Sequence, residues 1–182
     1  MRFLKSGITA IATACALAAT SLALAHKGDD GVDYPEGFRT FDHVTTGIVT
    51  PGFLFNGVDL GAQVPGLHNI YANRPAMQGY RALGAARPGR QTFNNGSVIV
   101  FDLWEPGVLE SGTGSFTFQK TRIAVAVMEK DAKKYAATGG WGFQVFDPVT
   151  KNPLLNEKQQ AECFACHAIT PQTDFVFSKI SD

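Results

Sequence analysis

The residues with the most specific chemistry lie near the C-terminus. Cys163-Phe164-Ala165-Cys166-His167 reads C-x-x-C-H. On a helix, positions i and i+3 share a face, about one turn apart. Two thiols at that spacing can add to the two vinyl groups of one haem, and the imidazole one residue on then stands under the iron as an axial ligand. This is the attachment pattern of c-type haem, so the spacing predicts one haem c bound through Cys163 and Cys166, with His167 as the metal ligand.

Other readings of the pair fit less well. A redox C-x-x-C of the thioredoxin kind expects a βαβ setting. A structural zinc site needs four ligands, and His43 and His68 stand isolated. A disulfide across C-x-x-C is strained and adds little to a core of this size.

An electron-transfer haem usually has a second protein ligand, commonly Met or His. No Met follows His167. Met77, Met128, His43 and His68 all lie upstream, and each reads more simply as core or surface. The expectation is an open distal side, or one holding only water.

Several elements must position these groups. Asn156, with Gln159 three residues on, forms a capping-box pattern that opens a helix, and that helix must stop before Pro171. Phe41–Val49 is β-prone, 51–66 reads as an apolar Gly-rich loop, and His68–Ala72 reads as a short strand. Arg74–Leu83 reads as a helix with Pro75 in its first turn, and 84–96 is turn-rich. Ser97–Glu105 is apolar on both faces, as in a strand covered on both sides. Arg122–Lys130 alternates, with Ile123, Val125 and Val127 facing one way and Ala124, Ala126 and Met128 the other. Trp141–Phe146 is a further strand with Trp141, Phe143 and Val145 on one face, and 131–138 can form a short helix. The fold class expected is α+β, predominantly antiparallel sheet, with a C-terminal helix carrying the C-x-x-C-H residues.

Composition narrows the function classes. The 182 residues carry 16 basic and 16 acidic side chains, a net charge of zero, which argues against a nucleic-acid partner. An apolar content of 45% against 18% charged residues excludes a mostly disordered chain. Arg2 and Lys5, an uncharged run from Ile8 to Leu24 and the small residues Ala23 and Ala25 read as a signal peptide over 1–25. Cleavage after Ala25 removes Cys15 and leaves one domain, 26–182, exported to the periplasm or beyond. A lipoprotein role for Cys15 fits poorly, because the charged region is short.

The chain resembles the cytochrome P-460 family, which includes the β-sheet cytochromes c′. The resemblance rests on Phe41–Val49 (FDHVTTGIV, with Asp42), His68–Asn73 (HNIYAN), Asn95–Leu103 (NGSVIVFDL), Gly139–Phe146 (GGWGFQVF) and Ala161–Lys179 (AECFACHAITPQTDFVFSK). It implies a homodimer with a five-coordinate haem held by the histidine of the C-x-x-C-H run. One branch oxidises hydroxylamine and carries a lysine bonded to the porphyrin edge. The other lacks that bond, has an apolar distal pocket and binds small gases such as nitric oxide.

The corresponding stretch here, Tyr80 to Asn95, contains Arg81, Arg87 and Arg90 but no lysine; no lysine occurs between Lys27 and Lys120. Arginine cannot substitute, since its guanidinium stays protonated. The resemblance places Asp102 at or near the distal carboxylate of the oxidising branch, as a candidate catalytic base; the plainer reading is a strand aspartate that caps a loop or pairs with an arginine. It places Phe53, Phe55 and Phe93 in loops over the haem, as cofactor-binding candidates. Ala124 and Ala126 are small enough to let a flat ring approach the sheet. The leading expectation is a gas-binding haem protein whose partners are a small nitrogen-oxide ligand and a redox protein. Hydroxylamine oxidation and simple electron transfer are the alternatives.

Overall fold

The alternation along 122–130 sorts one strand's side chains into two separate cores. In the computed structural model, which describes residues 31–83 and 93–181, five strands form an antiparallel sheet: β1 (Asp42–Val49), β4 (Gly66–Ala72), β5 (Val98–Ser111), β6 (Gly114–Lys130) and β7 (Trp141–Phe146), in the order β1-β4-β5-β6-β7. A small hairpin, β2 (Leu54–Phe55) with β3 (Val58–Asp59), and one helical turn, α1 (Leu60–Gln63), lie between β1 and β4. The remaining helices are α2 (Arg74–Leu83) and α3 (Glu157–His167). The architecture is α+β with a mostly antiparallel sheet. The leader and 84–92 lie outside the described residues.

Pleating sends alternate residues to opposite faces. On one face Val44, Ile70, Ala72, Ile99, Trp141 and Phe143 pack with Ala76, Met77 and Tyr80 of α2, with Phe93 and with Val176. Cys163 and Phe164 of α3 join this cluster. On the other face Val100, Val125, Val127 and Phe146 are covered by Val32 and Phe38 of the N-terminal segment, with Tyr34 and Phe41 beside them. The N-terminal segment is thus the lid of the second core.

α2 begins where Asn73 Oδ1 accepts from the Ala76 N–H at 3.1 Å and from the Val98 N–H at 3.0 Å. One side chain therefore caps the helix and fastens it to the start of β5. α3 has the capping box expected of Asn156 and Gln159.

Three local expectations are corrected. The segment 51–66 contains the β2–β3 hairpin and α1 rather than a plain loop. The segment 131–138 makes turns and a short 3-10 helix, Ala136–Thr138, because it is tied off at Gly140, whose N–H bonds to the Tyr135 carbonyl. The strands expected at Ser97–Glu105 and Arg122–Lys130 continue into one long hairpin, with register shifts at Leu103/Trp104 and Trp104/Pro106. Pro106 is accommodated at this irregularity, where a ladder hydrogen bond can be missed.

Gly79 of α2 lies against the buried Phe93 ring: a Cβ there would stand 2.2 Å from Phe93 Cδ1. Phe93 is itself fixed between Tyr80 and Trp141, at ring-centroid distances of 5.2 and 5.4 Å. Helix propensity alone favours alanine over glycine by about 1 kcal/mol, but overpacking costs about 1–3 kcal/mol, and here the ring has nowhere to retreat. Gly79→Ala is expected to lower stability in urea denaturation; a more stable variant would show that the packing around Phe93 is loose.

Candidate functional site

α3 turns one side to the sheet. Cys163, Phe164 and His167, together with Cys166, are half-buried, while the rest of the last two turns is exposed. Phe143 of β7 receives this face. Its ring centroid lies 4.9 Å from that of His167 and 6.3 Å from that of Phe164. The Phe177 ring lies 4.8 Å from the imidazole, and Phe55 of β2 packs on Phe177 at 5.3 Å.

The His167 ring is oriented by one polar contact. Nδ1 donates to the Phe175 carbonyl at 2.7 Å. A carbonyl only accepts, so the bond fixes the neutral tautomer with the proton on Nδ1. Nε2 is left with a lone pair, the state a metal-ligating imidazole needs. Burial lowers the His167 pKa, the Phe175 contact opposing it less strongly, so the ring is neutral at pH 7.

Cys163 and Cys166 are not joined by a disulfide. Burial raises both thiol pKa values, and at Cys163 the neighbouring Cys166 adds to the effect. A redox C-x-x-C works through a lowered thiol pKa, so the environment disfavours that chemistry. Nor do the described residues contain a group of three or more His, Cys, Asp or Glu side chains placed to hold a metal ion. This disfavours a zinc site.

Beside His167 the sheet presents a flat apolar floor. The register pairs Phe101 with Ala126, Leu103 with Ala124, and Ala126 with Val145, all on the face that carries Phe143. These five side chains are only half-buried, although they lie on central strands. Their neighbours on the opposite face, Val100, Val125 and Val127, are almost fully covered. Among the described residues, the middle of one sheet face thus lacks a full cover, next to an imidazole nitrogen with a lone pair and two thiols. A planar apolar group with a central metal fits that arrangement, and Ala124 and Ala126 lie on the face where their small size is useful.

The placement of the other candidates is mixed. Phe55 lies in the aromatic group around His167. Phe53 lies in the turn before β2 and is 45% exposed. Phe93 is a core residue, wedged against Gly79, Tyr80 and Trp141.

Asp102 follows the plainer of its two readings and pairs with arginine. It is fully buried, but it follows the even-numbered positions of β5 to the face away from His167. There Arg122 approaches both its oxygens, with Nε 2.9 Å from Oδ1 and an Nη donating to Oδ2 at 3.2 Å. Arg39 lies 3.5 Å from Oδ2. Both guanidiniums also lie over the Trp104 ring. Strand alternation places Asp102 on the face away from the floor beside His167, where it is an ion-pair partner of two arginines.

Of the possible second ligands, His43 bonds to Thr46 and packs on Tyr71, at the second core. Met77 is packed in the first core. His68 stands at the end of the floor with its ring 4.2 Å from that of Phe101 and its Nε2 donating to the Val64 carbonyl at 2.8 Å.

Sequence reasoning did not single out Phe143, Phe177 or the Phe175 carbonyl as site elements. Phe143 is visible as an aromatic on the Trp141 face. A carbonyl has no side-chain signal at all.

Replacing Asp102 by Asn would leave two guanidiniums without their buried counter-charge. Both reach solvent in part, so the expected loss is toward the low end for a broken buried pair, about 3 kcal/mol in chemical denaturation. Native stability in this variant would contradict the structural role.

No curated protein matches the chain. A family model, that of cytochrome P460, matches residues 35–178, which spans every strand of the sheet and all of α3. The match implies haem binding, in keeping with the thiols, the imidazole and the bare sheet face. The chain belongs to the cytochrome P460 family.

Proposed function

We propose that this protein is an exported mono-haem c-type cytochrome that binds small nitrogen-oxide or other diatomic ligands, nitric oxide among them. Cys163 and Cys166 hold the haem covalently and His167 is its one protein ligand. The observation that carries the reading is the bond from His167 Nδ1 to the Phe175 carbonyl, which leaves Nε2 free beside two thiols and an apolar floor. When bound, the haem supplies an iron with an open coordination position for the ligand.

The chain's own residues do the rest. Phe143 and Phe177 pack against the imidazole, and the Phe175 carbonyl retains the Nδ1 proton and raises the basicity of Nε2. Phe101, Leu103, Ala124, Ala126 and Val145 support the planar group and exclude water from its sheet-facing side.

Hydroxylamine oxidation is less well supported. It calls for a carboxylate near the reacting atoms, and Asp102 is tied to Arg122 and Arg39 on the far face. Simple electron transfer calls for a second protein ligand. Met77 and Met128 pack at the first core and His43 bonds to Thr46 beside the second; His68 alone of the four stands on the floor, with its Nε2 given to the Val64 carbonyl.

Export to the periplasm is supported by the leader pattern. A homodimer is supported by the family resemblance and by Val108, Leu109 and Phe116, exposed apolar residues on the long β5–β6 hairpin that a second copy would cover. A redox partner protein would keep the iron ferrous, and the net charge of zero gives no support to a nucleic-acid partner.

The test mixes the ferrous protein with nitric oxide in a stopped-flow instrument and, separately, assays hydroxylamine turnover with an electron acceptor. Rapid binding without turnover is expected. Sustained turnover would move the assignment to the oxidising branch. Cys163→Ala with Cys166→Ala is expected to yield protein whose haem is extracted by acid-acetone; haem that stays attached would contradict the thioether assignment.

A further inference from the structure

The carbonyl that orients His167 belongs to a residue in an unusual backbone state. Asp174 and Phe175 have φ of 52° and 66°. Two consecutive non-glycine residues in the left-handed region persist only where the surroundings over-determine them. The surroundings here are specific. Every acceptor atom of Asp174 is taken: Oδ1 by the Lys130 ammonium at 2.8 Å, Oδ2 by the Phe93 N–H at 3.1 Å, and the main-chain oxygen by Trp141 Nε1 at 2.8 Å.

Lys130 is itself fully buried at the end of β6. Its Nζ also donates to the Gly139 carbonyl at 3.0 Å and lies 4.7 Å from the Trp141 ring centroid. The Phe175 ring then packs against Gly139, where a Cβ would stand 2.3 Å from its Cε2. Lysine and aspartate are almost never buried without a partner, and a buried pair adds little net stability over an apolar substitute. A pair retained at this point therefore calls for a reason other than stability.

We propose that Lys130 and Asp174 are positioning residues for His167. The buried ion pair holds the left-handed Asp174–Phe175 turn, the turn aims the Phe175 carbonyl at Nδ1, and the carbonyl sets the donor strength of Nε2 toward the metal. The proposal rests on the reading of His167 as the haem ligand. It adds that a side chain 37 positions earlier in the chain, on a different element, tunes that ligand.

The test uses the haem-loaded protein and three variants: Lys130→Met, Lys130→Arg, and Lys130→Met combined with Asp174→Asn. The double variant removes both charges together, and asparagine also tolerates the left-handed region, so it is the one expected to fold best. The readouts are the iron–histidine stretching band of the ferrous protein by resonance Raman and the reduction potential. In Lys130→Met and in the double variant the band is expected at lower frequency and the potential higher, as a weaker Nδ1 bond makes Nε2 a poorer donor. Lys130→Arg is expected to restore part of both shifts.

A melting temperature that falls while the band and potential stay at wild-type values would overturn the positioning role and leave a structural pair. A protein that carries no covalent haem, or whose haem lacks an iron–histidine band even in the wild type, would instead overturn the underlying site assignment.

Discussion

A single hydrogen bond, from the His167 imidazole to the Phe175 carbonyl, sets the terms for the rest of the site. The imidazole must be neutral, must present one named nitrogen and must hold its plane. Burial against Phe143 and Phe177 disfavours the charged form, and the carbonyl selects the tautomer. Neither alone suffices: a buried ring without the carbonyl would sample both tautomers. The carbonyl in turn depends on a backbone turn that few residues adopt unaided, so the constraint propagates from one proton into the packing of β6, β7 and the C-terminal segment.

The sheet makes a second, complementary arrangement possible. Its two faces carry different tasks because alternation separates them. The even positions of β5 and odd positions of β6 build a closed core under the N-terminal segment, where Asp102 is sealed beneath two partly exposed arginines. The opposite positions build a core at one end and leave an apolar floor beside α3 at the other. A face that was covered throughout would have no room for a planar group. One bare throughout would expose an aggregation-prone surface. Ile99 and Met128 lie at the packed end, and Ala124 and Ala126 at the open one.

Much of this was legible in the sequence. The helix at Arg74–Leu83, the capped C-terminal helix and the two-faced strand at 122–130 follow from local capping and periodicity, and the C-x-x-C-H run locates the site. The functional side of Asp102 was not legible in the same way. A one-residue change of register moves a strand side chain to the other face, and a resemblance over NGSVIVFDL does not fix which face looks toward His167. The packing of Phe93 was hidden because a loop phenylalanine reads alike whether it caps a ligand or fills a core; its neighbour Gly79 is far away in the chain. The extension of β5 and β6 past Pro106 was masked by proline and glycine, which read as strand breakers. The Lys130–Asp174 pair was invisible because charge at a strand end usually means solvent.

The most direct test of the central claim is the absorption spectrum of the reduced protein, recorded before any ligand is added and again after nitric oxide. A high-spin ferrous haem with an ordinary Soret band, altered by nitric oxide, is the predicted result, because His167 is taken to be the one protein ligand and no lysine lies in the stretch that would bond the porphyrin. A low-spin spectrum indifferent to nitric oxide would mean a second protein ligand, and a Soret band displaced far to the red would mean a cross-linked haem. Either would contradict the account.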